Sequence, residues 1–199
     1  PNLTYLKAAI ARADSGVATG STLDAATRNG LASLTVFAPT DAAFKSALTA
    51  VVYTVLVRQG ATPGLATQTQ AANTVNALGT SIFTNPAFFG SLSAQTVKGI
   101  VVYHILGVRA YASNIPPTLT NLPTLLNSAL PTHEGVKVQS TFTGAFPFVA
   151  TTLKVTGKLS LVDGSANFSG PAATATTRDI NAVNGVIHII DQVLIPQGL

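Results

Sequence analysis

Apolar positions recur with a helical period early in this chain and with a strand period late in it. In NLTYLKAAIARAD, Leu3, Leu6, Ile10 and Ala13 share one helical face. STLDAATRNG predicts a second, short helix, with Ser21 and Asp24 as a capping box and Gly30 as the C-terminal cap. LTVFAPTDAAFKSAL reads as a strand over 34–38 that runs into Pro39 and then a helix. Pro39 has no N–H to give a ladder, and a side-chain oxygen of Thr40 or Asp41 satisfies the unpaired N–H groups of the helix's first turn.

From Gly60 to Thr80 the chain is rich in Thr, Gln, Ala and Asn and poor in large apolar residues, which predicts a loop or marginal helix inserted between core elements. LSAQTVKGIVVYHILG returns to helix, capped by Ser93, with Val97, Ile100, Val101 and His104 on one stripe. His104 therefore points toward the core. After Gly107 come strand-like pieces, VRAYAS, GVKVQSTF, TLKVTGKLSLV and GVIHIIDQVLIP, punctuated by Pro, Gly, Asn and Asp. In the last piece Val186, His188, Ile190 and Leu194 alternate with Ile187, Ile189, Val193 and Ile195. Both faces are apolar, as in a central strand. Helices early and strands late predict an α+β domain in place of alternating βαβ units.

Composition narrows the class. The chain has 199 residues, 47% of them hydrophobic and only 9% charged, enough for one sizeable core across 1–199. Its net charge of +4 reflects scarce acids, and its Lys and Arg are scattered. Phosphate neutralisation needs clustered bases with stacking aromatics, so nucleic acid is not an expected partner. Cysteine is absent, which excludes a disulfide framework, a thiolate nucleophile and thiolate metal sites. No apolar run approaches the length of a membrane span. With Pro1 first and no Met anywhere, the expectation is a processed form, separated from any signal peptide or lipid anchor.

Three stretches together resemble one family. TVFAPTDAAF at Thr35 to Phe44, VVYHIL at Val101 to Leu106 and NGVIHIIDQVLIP at Asn184 to Pro196 stand in the order of the fasciclin (FAS1) domain motifs, and NLPTLLNSAL fits the stretch after the Tyr-His segment. The resemblance implies a β-sandwich or wedge core with helices packed beside it. It also implies a secreted or surface-anchored adhesion module whose partner is a cell-surface or matrix protein or a polysaccharide, with Tyr103 and His104 as an adhesion determinant. Thr40, Asp41, His104, Asn184, Gly185 and His188 are then structural motif residues. The regions near 60–80 and 144–152 are longer than the family pattern.

The chemistry left to consider is sparse. The sequence holds no G-x-S-x-G elbow, Walker loop, H-E-x-x-H or G-x-G-x-x-G after a strand. His104, His133 and His188 lack metal-ligand spacing, and His133 lies in the polar turn PTHEG. No metal, cofactor or catalytic residue is expected. His104 reads first as a buried imidazole tied by hydrogen bonds, with Thr40 or Asp41 as candidate partners. Asp41 is a helix cap or a carboxylate paired with a histidine. Asn184-Gly185 is a turn. Two rival functions remain: a binder of a small apolar ligand or glycan in a cleft between helices and sheet, lined by Phe and Val, and a hydrolase using His104 with Asp41 or a Ser. Asn2 and Asn167 open glycosylation sequons.

Overall fold

The structure is a computed structural model that describes residues 2–144, 149–157 and 172–197. Five α-helices, α1 (Thr4–Ala13), α2 (Leu23–Thr27), α3 (Asp41–Arg58), α4 (Leu65–Leu78) and α5 (Ala94–Tyr103), occupy the first half with the strand β1 (Leu34–Pro39) between α2 and α3. The second half carries β2 (Ile105–Leu106), β3 (Thr120–Leu122), β4 (Val136–Thr143), β5 (Val149–Thr156), β6 (Ala173–Ala182) and β7 (Gly185–Ile190). This is the expected α+β order. Among the described residues no helix is long and apolar enough to cross a membrane.

The strands form one seven-stranded sheet, in the order β2-β1-β7-β6-β5-β4-β3. β1 and β7 run parallel in register from Leu34↔Gly185 to Pro39↔Ile190, and the remaining pairs are antiparallel. β7 is central, as its two apolar faces require. The two halves of the sheet meet where β6 pairs with β5 through Lys154↔Thr174 and Val155↔Ala173, and β6 shifts register against β7 near Thr177. Such irregularities bend a strand. The sheet consequently folds on itself: Phe37 and Ile190 of one half share a buried cluster with Val136, Val138, Leu153 and Val155 of the other. The wedge is built from a single sheet, not from two separate ones.

A second cluster joins the helices to the opposite face of β1, through Leu34 and the partly buried Val36. Here the sequence pattern is corrected. α1 buries Tyr5, Ala9 and Ala13, while Leu6 and Ile10 are only half-buried. Tyr5 stacks on Phe44 at 6.3 Å, and the small Ala9 and Ala13 let a neighbouring helix come close, so packing outweighs side-chain size. α2 is capped by Thr22, which accepts the Ala25 N–H at 3.1 Å, in place of a Ser21–Asp24 box, and it ends at Arg28, before Gly30.

The expected insertion at 60–80 holds α4, a helix that packs along α3 and buries Thr67, Ala71 and Val75, the last two within the helical core. Its inner stripe is narrow and made of small residues, which is why hydrophobicity alone undervalued it. VRAYAS is not a strand. Val108 and Ala110 bond to the Thr35 side chain, outside any ladder, and a 3-10 turn follows at Ala112–Asn114. The run GVIHIIDQVLIP leaves the sheet's regular ladder after Ile190, where Asp191 turns back to accept the Thr174 N–H at 2.7 Å. The described part of the region 144–152 is the start of β5; residues 145–148, and Asn167 with the end of TLKVTGKLSLV, lie outside the described residues.

Candidate functional site

α5 begins at Ser93, whose hydroxyl accepts the Thr96 N–H at 3.1 Å, and ends at His104 as its C-terminal cap. The capping position turns the imidazole inward, 2% exposed. Nδ1–H donates to the Ile100 carbonyl at 2.8 Å, and Nε2 accepts the Leu194 N–H at 2.9 Å. The backbone of His104 also accepts from the Phe37 N–H at 2.9 Å. One residue thus joins α5, β1 and the segment after β7. Burial pushes the His104 pKa down to about 4, against a smaller opposing effect of the Ile100 bond. The ring is neutral because its acceptor nitrogen already holds a backbone donor.

Its neighbour Tyr103 is fully buried and donates its hydroxyl to the Gly135 carbonyl at 2.7 Å. His133, in the polar turn PTHEG, lies edge-on to the Tyr103 ring at 5.2 Å and accepts the Gly135 N–H at 3.1 Å. Gly135 has φ +73, and a Cβ there would meet the Leu122 carbonyl oxygen at 2.1 Å. That role had no signal beyond a glycine beside a strand.

Thr40 and Asp41 do not partner His104. Thr40 is the α3 cap, accepting the Ala43 N–H at 3.2 Å. Asp41 serves the other helix: its carboxylate accepts the Tyr5 N–H at 3.0 Å and the Thr4 hydroxyl, filling the N-terminus of α1, where no side chain of α1 itself caps. His188, fully buried in β7, stacks on Phe37 at 5.7 Å, donates Nε2–H to the Ala110 carbonyl at 2.9 Å and accepts the Asp179 N–H at 3.3 Å. Burial lowers its pKa; the Ala110 bond and Asp179 oppose this, and Arg178 adds to it. Asp179, at φ +58 in β6, accepts the Ala112 N–H at 2.8 Å, so it pins the loop that the His188 ring also holds.

Asn184 closes the β6–β7 hairpin and reaches back to the carbonyls of Thr27, at 2.6 Å, and Asn29, at 3.0 Å. Gly185 beside it tolerates no side chain, since a Cβ would lie 2.1 Å from the Leu34 carbonyl oxygen. Asp41, His104, Asn184 and His188 thus each join separate elements, while Thr40 caps its own helix and Gly185 makes room for the β1–β7 pair. The sequence model of the fasciclin domain family matches residues 13–196, from α1 to beyond β7. The chain belongs to the fasciclin domain family.

Among solved structures, a FAS1 domain pair from the insect cell adhesion molecule fasciclin I is similar at 18% identity and a TM-score of 0.49, over 96% of this chain and 44% of that one. No curated protein matches the chain. In this fasciclin domain the three histidines stand apart as separate ties, and among the described residues no cluster of three or more His, Asp or Glu has metal-binding geometry. Both ring nitrogens of His104 and of His188 are committed to backbone groups.

A recess of about 860 Å³ opens between α5 and the 3-10 turn at Leu125–Ser128. Val102, Leu125 and Leu130 give it an apolar floor, with Lys98, Thr96 and Ser128 at polar positions. It lies between a helix and a turn, not between helices and sheet, and no Phe lines it.

Proposed function

We propose that this fasciclin domain is an extracytoplasmic adhesion or interaction module that binds a protein or glycan partner through its surface segments and carries out no catalysis. The observation behind this reading is that the family-motif side chains are spent on the interior. Tyr103 and His104 have their polar atoms paired inside the fold, which supports a holding role for them and leaves recognition to the surface around them. The recess beside α5 offers a surface for it: an apolar floor with hydroxyls and one ammonium group suits a sugar ring or a short peptide.

The experiment is adhesion of cells and of protein and glycan arrays to the immobilised domain. Lys98→Glu with Leu130→Asp should cut binding at least tenfold with the melting temperature unchanged. Retained binding would move the site elsewhere, and reproducible turnover by the pure domain would overturn the noncatalytic reading. The same recess supports a second reading, capture of a small apolar ligand, because its floor is aliphatic and its volume is that of a small-molecule site. Saturable binding of a fluorescent fatty acid, lost in the same variant, would favour that reading.

A further inference from the structure

Three connections end together where β1 begins. The α2–β1 connection carries Leu31, the segment after β2 carries Val108, and the β6–β7 turn carries Val183; they are 96%, 56% and 93% exposed. The register brings them to one end, because Leu34 pairs with Gly185, Gly185 with Ala182, and Thr35 with Leu106. Single exposed aliphatics need no explanation, but three on adjacent tips form a patch. The tips also stand on a braced base. Asn184 bonds the carbonyls of Thr27 and Asn29, Thr35 bonds Val108, and the Arg109 guanidinium reaches the Val183 carbonyl at 3.5 Å.

The chemistry changes just behind the tips. Arg109 is exposed there; Arg28 is exposed too and paired with Asp24 at 2.9 Å, and the Tyr111 hydroxyl bonds Asn181 at 2.8 Å. Aliphatic ends backed by Arg, Tyr and Asn match the layering of a bilayer surface, with acyl chains first and headgroups behind. Three aliphatic side chains offer roughly a few hundred Å², short of the ~800 Å² per partner of a stable protein interface. The net charge of +4 opposes self-association and favours an anionic surface.

We infer that this end of the domain, with Leu31, Val108 and Val183 at its tip and Arg109 behind them, docks on a membrane surface bearing anionic headgroups. The inference is independent of the recess beside α5, so a failure of one leaves the other standing. The test is co-flotation of the full chain with vesicles of phosphatidylcholine alone or of phosphatidylcholine with one quarter phosphatidylglycerol. Binding should prefer the anionic vesicles, weaken in high salt, and fall at least tenfold in Leu31→Asp/Val183→Asp at an unchanged melting temperature. The chain has no Trp, so Leu31→Trp gives a single reporter whose emission should shift to the blue on anionic vesicles. Absence of both co-flotation and shift would overturn the inference. So would vesicle binding that survives the double Asp change, or a dimer that the same change abolishes, which would make a second copy the occupant.

Discussion

The Nε2 of His104 accepts the backbone N–H of Leu194 at 2.9 Å, across 90 positions of sequence. With Nδ1–H on the Ile100 carbonyl, the imidazole closes the end of α5 and holds the last apolar segment against the sheet. A neutral imidazole supplies that donor and that acceptor on one rigid ring.

His104→Ala should therefore destabilise the domain by about 2–4 kcal/mol, from lost packing together with a buried Leu194 N–H left without its acceptor. Urea denaturation at pH 7 measures it. A midpoint within error of wild type would show that the tie carries no stability.

Acid should unfold the domain through the same ring. The folded-state pKa of about 4 lies below the ordinary 6.5, so between these values the unfolded chain takes up a proton that the folded chain refuses. Stability is then fully present above pH 6.5 and falls on acidification toward pH 4, by about 3 kcal/mol at 1.36 kcal/mol per pH unit. The lowered pKa of His188 acts in the same direction. Urea midpoints at pH 7, 5.5 and 4 should decline, and the decline should be shallower in His104→Ala.

Thr40 and Asp41 are adjacent but cap different helices. Thr40→Ala should cost about 0.5–2 kcal/mol, with Thr40→Ser close to wild type. Asp41→Ala should cost a similar amount while loosening α1, because it removes the acceptor of the Tyr5 N–H. Hydrogen exchange separates the two: faster exchange at Ala43 in the first variant and at Tyr5 in the second. Equal exchange at Tyr5 in Asp41→Ala and wild type would refute the cross-helix cap.

Gly185→Ala should be the most damaging single-atom change in the hairpin, since the added Cβ meets the Leu34 carbonyl oxygen at 2.1 Å in a parallel pair that cannot separate without breaking the sheet centre. A loss of about 2 kcal/mol or more is expected, against about 0.5 for Val183→Ala at the exposed tip beside it. Thermal unfolding of the two variants decides the order.

Elements whose signals are local were legible along the chain. The strand, Pro39 and cap of LTVFAPTD, the Ser93 start of α5, the two-faced apolar run of β7 and the inward aim of His104 each follow from spacing, ring geometry or a hydroxyl at the right position. The order of the three motifs carried the family. What those residues touch emerged with the folded chain. It showed Leu194 as the partner of His104, Asp41 as the cap of α1, and His133 held against Tyr103. It made α4 part of the helical core through small residues, and folded one sheet on itself near Thr177. These are contacts between positions far apart in the chain, and a hydrogen bond or a close helix crossing depends on where two backbones meet in space. No local period encodes that meeting; packing of the two cores sets it.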